Sequence, residues 1–209
     1  MDGYGLLVVE DDFLGPDNDL TWGTGTVKVG NFGFVSVNEG SFEWTVDEPG
    51  GILAITTDTG DDDNAVLMAG TFKPLDGGME VYARFKYSNV DCAIFVGFME
   101  TLVLATPVMP AEFATATMTY NGTGGMVGFN YDADGTTDDF RALMGDGGAA
   151  ISDSSNGVRA TATLTADRWF EAKVSVFPDG RADCWFAHSG LVNSQNYPKA
   201  RLVKRFSTG

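Results

Sequence analysis

The chain has 209 residues, which is enough for one β-sandwich domain or at most two small ones. Hydrophobic residues make up 44% of it, and 27 glycines and 15 phenylalanines suit short strands joined by tight turns around a sizeable core. The formal charge of −16 disfavours direct binding to nucleic acid or to anionic lipid headgroups, because a surface this acidic repels phosphate groups.

Alternation of apolar and polar residues predicts strands along most of the chain. At 79–87 the odd positions are apolar and the even ones include Glu80, Arg84 and Lys86, which is typical of a half-buried strand. Further strands are predicted at 6–10, 26–29, 33–37, 41–46, 52–56, 65–69, 93–99, 126–131, 139–144, 158–164 and 201–206. Strands this dense, with turn residues between them and no helical period, predict one all-β domain over 1–209. Its predicted architecture is a two-sheet antiparallel β-sandwich.

A hairpin is predicted near the C-terminal end, with strands at 170–176 and 182–186 and a Phe-Pro-Asp-Gly-Arg turn at 177–181. Cys184 falls on the inward side of this hairpin. It lies far from Cys92 and forms no CxxC pair with it, so both thiols are predicted to be free. Two segments do not alternate: 99–118 is predicted to be a long loop with a short helical turn, and 147–157 a mobile polar excursion.

The residues needed for catalysis are missing from the sequence. The single histidine, His188, follows the hairpin, and there is no G-x-S-x-G motif to supply a nucleophile for it. The glutamates never take the E-x-D-x-x-E spacing that places two carboxylates on one strand face in jelly-roll glycosidases. We therefore expect no enzymatic activity and no cofactor.

One acidic segment, NYDADGTTDD at 130–139, is rich in the oxygen atoms that Ca²⁺ prefers. Its candidate ligands are Asp132, Asp134 and Asp138. The glycine and the closing glutamate of an EF-hand are misplaced, and an ordinary acidic turn after a strand has the same composition. Four tryptophans, at positions 22, 44, 169 and 185, leave a similar choice between stacking on sugar rings and packing within the fold.

The segment from TADRW at 165–169 through DGR at 179–181 to WFAHSG at 185–190 resembles the C-terminal hairpin of concanavalin A-like and laminin G-like domains. Further segments are similar, in the same order, to structural proteins of tailed bacteriophages built on this domain. They are EDDFLG at 10–15, IFVGF at 94–98, VGFNYD at 127–132 and FRAL at 140–143. The resemblance departs from legume lectins at Asn130, where their metal-binding strand has a carboxylate.

The resemblance implies a concanavalin A-like jelly roll and a non-enzymatic virion protein. Such a protein decorates or cements a phage head as a homotrimer bound to the major capsid protein. The start of the chain has no basic region followed by an apolar stretch, and no run approaches the roughly 18 apolar residues of a membrane span. We therefore expect synthesis in the host cytoplasm, and the resemblance implies a place on the capsid surface. The alternative is a lectin-like, carbohydrate-binding module on a virion or tail fibre.

Two segments are candidates for contact with a partner. The weakly charged stretch at 99–118 offers Leu102, Val103, Leu104, Val108 and Met109 as an interface, or as a cap on the core. Near the C-terminal end, basic residues concentrate at Lys199, Arg201, Lys204 and Arg205. In a chain of −16 they can face either an acidic capsid surface or the acidic surface of the domain itself.

Overall fold

All regular elements in the described part of this computed structural model are β-strands, and all of their pairings are antiparallel. The all-β, antiparallel class predicted from the alternation is therefore confirmed. The structure describes residues 25–29, 32–37, 41–44, 53–57, 64–68, 78–88, 91–101, 108–114, 116–121, 124–135, 139–146, 149–150, 157–160, 168–188 and 200–207.

The chain divides into two compact units. One comprises Met1–Lys73 with Leu102–Val108, and the other comprises Pro74–Thr101 with Met109–Gly209. The prediction of a single domain over 1–209 stays a prediction.

The first unit contains a three-stranded sheet and a separate pair of strands. Its strands are β1 (Gly25–Val29), β2 (Phe32–Val37), β3 (Ser41–Trp44), β4 (Leu53–Thr56) and β5 (Asn64–Met68). The sheet has the order β1-β2-β5, and β3 pairs with β4. All five were predicted from the sequence to within two residues at each end.

The second unit holds two larger sheets. Its strands are β6 (Met79–Phe85), β7 (Ala93–Met99), β8 (Ala111–Ala114), β9 (Thr117–Tyr120), β10 (Met126–Asp132), β11 (Arg141–Asp146), β12 (Ala149–Ala150), β13 (Val158–Arg159), β14 (Phe170–Val176), β15 (Ala182–His188) and β16 (Arg201–Phe206). One sheet has the order β12-β11-β10-β7, with β13 also paired to β11. The other has the order β16-β15-β14-β6, and β8 pairs with β9 as a hairpin.

The main core contains side chains from both larger sheets. The inward positions of β14 and β15 are apolar and buried, as the alternation predicts. They meet the inward residues of β10, so that the rings of Phe129 and Phe186 have centroids 5.0 Å apart. Phe140 lies 5.2 Å from Phe186 in the same cluster. Aromatic rings at these separations add to the stabilisation that burial alone supplies.

The β8–β9 hairpin contributes to a second buried cluster, on the opposite side of β10 from the main core. Phe113 and Met118 of the hairpin pack there with Met126 and Leu143 of the sheet. Every residue of β10 is consequently buried, including its two polar ones, Asn130 and Asp132. Here the prediction for 99–118 was wrong in part. Two four-residue strands occupy 111–120, because pairing across the hairpin and burial outweigh the weak local pattern.

A pair of facing glycines lets β7 and β10 approach closely. Gly97 lies directly opposite Gly128, and a Cβ built on either would come within 3 Å of the other's Cα atom. Atom Cζ of Phe95 lies within 3 Å of both of these Cβ positions, so its ring fills the space that the glycines leave. An aromatic ring over a cross-strand glycine restores packing that the missing side chains would otherwise lose.

The turn between β14 and β15 follows its sequence. Gly180 has φ of 80°, a conformation that glycine adopts without strain, and its N–H donates to the carbonyl of Phe177 at 3.0 Å. The N–H of Arg181 donates to Asp179 Oδ1 at 3.0 Å, and the guanidinium lies 4.2 Å from the Phe177 ring centroid. The predicted hairpin is confirmed, with β15 extending two residues beyond its predicted end.

The remaining differences concern three predicted segments. The polar segment at 147–157 contains the short strand β12, which pairs with β11. The strand predicted at 158–164 is described only over Val158–Arg159, and the one predicted at 6–10 lies outside the described residues.

Candidate functional site

The acidic turn after β10 is built around the Asp132 carboxylate. The N–H of Phe113 donates to its Oδ2 at 2.5 Å, and the N–H of Asp134 donates to its Oδ1 at 3.0 Å. These bonds tie the β8–β9 hairpin and the turn to the end of β10. The side chain of Asp134 is exposed, and Asp138 lies outside the described residues. Within the described ranges, no three Asp, Glu, His or Cys side chains cluster as metal ligands would. Asp132 therefore has a structural role that accounts for its burial.

Asn130 lies two residues before Asp132, on the side of β10 that the hairpin covers. Its side chain is fully buried, and neither Oδ1 nor Nδ2 has a hydrogen-bond partner. The hydroxyl of Tyr120, in the second cluster, is also buried without a partner. Burial raises the pKa of Tyr120. Three polar side-chain atoms on the hairpin side of β10 are therefore buried without a hydrogen-bond partner, and unpaired buried polar atoms cost stability.

A buried carboxylate, Asp139, precedes β11. Its Oδ1 accepts a hydrogen bond from Arg141 Nε at 2.8 Å, and its Oδ2 accepts one from Arg159. The Arg141 guanidinium also lies 5.1 Å from the Phe113 ring centroid. Both oxygens of Asp139 are thus engaged in joining β11 to β13. The cluster is an ion-pair network that links the two strands.

The two thiols lie in environments that keep them protonated. Burial, and then the nearby Asp91 charge, raise the pKa of Cys92 to about 11. Burial raises the pKa of Cys184 to about 12. Cys184 is fully buried, as its inward position predicted. A thiol reacts as its thiolate, so these values describe weak nucleophiles at neutral pH. His188 is the last residue of β15.

The interface residues proposed from the sequence divide between the two compact units. Val108 is 57% exposed, and Met109 is half-buried, with its carbonyl accepting a hydrogen bond from Asn121 Nδ2 at 3.2 Å. Leu102, Val103 and Leu104 lie outside the described residues. Of the five proposed interface residues, Val108 is the one that the described part of the structure shows to be exposed.

A different exposed surface lies on the four-stranded sheet. We call it the outer face and define it as the outward-pointing side chains of β6, β14, β15 and β16. Its middle row, one residue from each strand in register, consists of Tyr82, Lys173, Trp185 and Leu202. Tyr82 is 57% exposed and Leu202 is 38% exposed, while Trp185 is half-buried. At the usual strand spacing, the row spans roughly 14 Å.

Charged side chains border this row on one side. Glu80 accepts hydrogen bonds from Lys173 Nζ at 2.7 Å and from the Ser175 hydroxyl at 2.9 Å. Burial alone would raise the pKa of Glu80, but these two bonds outweigh it and hold the pKa below its ordinary value. On the next strands, Arg205 donates twice to the Asp183 carboxylate, at 2.7 Å each. Hydrogen bonds from Arg205 lower the pKa of Asp183, so the pair is ionised at neutral pH.

Cations over an aromatic ring border the row on the other side. The guanidinium of Arg84 lies 4.6 Å from the ring centroid of Trp169, and Lys86 Nζ lies 5.5 Å from it. Glu171 pairs in register with Arg84. Burial, and then the charge of Glu171, raise the pKa of Tyr82. Tyr82, Trp185 and Leu202 of the middle row form the apolar row, and the fourth member, Lys173, is ion-paired with Glu80. Apolar side chains between ionic borders have the composition expected of a binding surface.

The sequence contained a signal for this outer face. Tyr82 occupies an even position among Glu80, Arg84 and Lys86, where the alternation places side chains toward solvent. Trp185 likewise belongs to the outward set of its strand. Large aromatic residues in the outward sets of two strands indicate an exposed apolar surface, but the order β6-β14-β15-β16, which brings these strands into one sheet, is a tertiary property.

In comparisons with known proteins, no family model, no curated protein and no solved structure matches the chain. Within the part of the chain that the structure describes, no helix has the length and apolar character needed to cross a membrane.

Proposed function

We propose that the chain is a two-sheet sandwich of the concanavalin A-like jelly-roll kind and acts as a non-enzymatic virion structural protein. In this proposal it decorates or cements the head of a tailed bacteriophage by binding the major capsid protein, as a homotrimer on the capsid surface. The ordered sequence resemblance to phage structural proteins supports the class. The outer face supports binding as the mode of action.

The observation that carries the proposal is the middle row of the outer face. Tyr82 and Leu202 expose apolar surface, and Tyr and Trp side chains supply much of the binding energy where proteins meet. The antiparallel pairing through β14 and β15 fixes the row on a sheet, so little order has to be gained on binding. A homotrimer presents three such faces to a repeating lattice, and simultaneous contacts multiply a weak single affinity.

Capsids assembled without the protein provide the test. Purified protein is expected to co-sediment with such capsids at near-physiological salt and to show no turnover on polysaccharide or ester substrates. The double variant Tyr82→Ser, Trp185→Ser is expected to bind at least about tenfold more weakly, because both aromatic contacts are lost. Ile55→Ser removes an exposed apolar side chain from β4, in the other compact unit, and serves as the matched control.

Absence of wild-type co-sedimentation would refute the decoration role. Wild-type affinity in the aromatic double variant, confirmed as folded by circular dichroism, would refute the role of the outer face. The interface proposed from the sequence is tested in parallel with Leu102→Asp, Val108→Asp, and unchanged binding of that variant would exclude the segment.

The exposed ring of Tyr82 and the half-buried Trp185 also favour a second candidate, a carbohydrate-binding module. A glycan array probes it directly. A signal lost in Tyr82→Ala but kept in Trp22→Ala and Trp44→Ala would place sugar binding on the outer face. Loss in the Trp22 or Trp44 variant alone would place it elsewhere.

A further inference from the structure

Positive charge is concentrated on the sheet that carries the outer face. Residues 79–87, 168–188 and 200–207 comprise its four strands and their immediate ends. They contain eight of the chain's 13 Lys and Arg residues but only four of its 29 Asp and Glu residues. Eight minus four leaves a local formal charge of +4 in a chain whose total is −16, so the remaining residues carry −20. The basic residues are Arg84, Lys86, Arg168, Lys173, Arg181, Arg201, Lys204 and Arg205.

The geometry of the outer face leaves part of this charge available. Lys173 is paired with Glu80, and Arg205 is paired with Asp183. Arg84 and Lys86 are instead held over the ring of Trp169, and both are exposed. An aromatic ring has no net charge, so it fixes the position of these two cations without neutralising them. The carboxylate of Glu171, in register with Arg84, is the acidic side chain opposite them. Two positioned cations and one carboxylate therefore lie beside the apolar row, with a local excess of one positive charge.

We propose that the outer face binds a protein surface rich in carboxylates, with Arg84 and Lys86 as the charge-selecting residues beside the apolar row. This inference rests on the proposed function, because it assigns the chemistry of the partner at the same site. An acidic protein is favoured over nucleic acid because the exposed side chains of Tyr82 and Leu202 beside the cations match a protein surface, which offers apolar contacts as well as carboxylates. A protein surface meets only the locally positive face, where opposite charges steer association.

The experiment uses the full-length protein with three probes: capsids lacking it, poly-L-glutamate and an oligothymidylate. Wild-type protein is expected to bind the capsids and poly-L-glutamate, with affinity falling as NaCl is raised from about 50 mM to about 500 mM. The variant Arg84→Gln, Lys86→Gln is expected to bind both about five- to tenfold more weakly, on the scale of two exposed charge contacts. Lys28→Gln, on β1 in the other compact unit, is the matched control and is expected to bind like wild type.

The outcomes separate this inference from the proposed function. Salt-insensitive binding to capsids, unchanged in the Arg84→Gln, Lys86→Gln variant, overturns the inference and leaves the decoration role standing. Salt-sensitive binding to poly-L-glutamate without capsid binding supports the inference and overturns the decoration role. Binding to oligothymidylate in preference to poly-L-glutamate overturns the choice of an acidic protein as partner. Wild-type self-association that is lost in the same variant identifies a second copy of this acidic chain as the carboxylate-rich surface and supports the inference.

Discussion

Replacing the buried Asn130 by leucine is expected to stabilise the protein. Leucine has the same number of side-chain heavy atoms and the same branching, so it fills a similar space without polar atoms. Asn130 is fully buried, and both of its amide atoms lack partners. Burying an unsatisfied amide costs about 1–3 kcal/mol, and Asn130→Leu removes this cost and adds apolar surface to the core. The free energy of unfolding is therefore expected to rise by about 1–3 kcal/mol.

Urea titration followed by tryptophan fluorescence measures this change, since a higher midpoint at constant slope reports greater stability of the same fold. In thermal unfolding, each 1 kcal/mol corresponds to about 2–4 °C for a chain of this size. The matched control is Asn121→Leu. The Asn121 amide donates to the carbonyl of Met109, so its loss is expected to destabilise by about 0.5–1.5 kcal/mol.

A lower urea midpoint for Asn130→Leu would refute the reasoning, because it would mean that the native amide is satisfied by an ordered water or a bound ligand. Tyr120→Phe tests a second unpaired polar group on the same side of β10. It removes only the unpaired hydroxyl and is expected to leave stability unchanged or higher.

Four further predictions concern packing, charge, metal and thiols. Gly128→Ala would place a Cβ 2.4 Å from a carbonyl oxygen of β7, so a loss of about 1–3 kcal/mol is expected in urea titration, and an unchanged midpoint would contradict the close approach of the strands. Because the pKa of Asp183 is lowered by Arg205, their pair stabilises the fold above about pH 4 and is lost as pH falls through the lowered pKa. Arg205→Gln is therefore expected to lower the Tm at neutral pH, with a gap to wild type that closes in strong acid. EDTA is expected to leave the Tm unchanged, and a fall of several degrees reversed by Ca²⁺ would show a metal site in the acidic turn after β10. Cys92 and Cys184, with pKa values near 11 and 12, are expected to alkylate slowly in the native state and fully after denaturation without reductant; a two-dalton deficit before reduction would show a disulfide instead.

The elements that the sequence predicted best are those whose pattern is local. The β14–β15 hairpin has an alternating strand on each side of a Pro-Asp-Gly turn, and the structure reproduces it with Gly180 in the left-handed region. β7 and β16 match their predicted bounds. In each case, nearest neighbours in the chain decide both the conformation and which side chains point inward.

The β8–β9 hairpin was not predicted because pairing and packing, rather than a pattern within each strand, determine it. Each strand has four residues, too few for a period to emerge, and prolines nearby suggest a loop. The burial of β10 was also hard to predict, because the strand is covered on both sides and its burial does not alternate. Its polar residues therefore look like the start of a solvated acidic loop, whereas Asp132 is a buried anchor for the hairpin.

The candidate site also has a part that local sequence predicts and a part that it does not. The alternation assigns Tyr82 and Trp185 to the outward set, but only the strand order places them in one row. Local sequence also fails to show that Arg84 and Lys86 both lie over the ring of Trp169, a residue more than eighty positions later in the chain.

The position of β14 between β6 and β15 has a consequence for how the protein folds. The hydrogen bond from Ser175 to Glu80 joins residues 95 positions apart, whereas the pairing of β14 with β15 closes only a short turn. Closing the longer loop costs more chain entropy, and folds dominated by distant pairings reach the native state slowly, in milliseconds to seconds. Pairing β14 with β15 therefore costs little chain entropy, whereas adding β6 to the sheet costs the entropy of the longer loop. Whenever β6 is detached, the edge of β14 that it covers in the native sheet has unpaired backbone groups, and such an edge can pair with another chain.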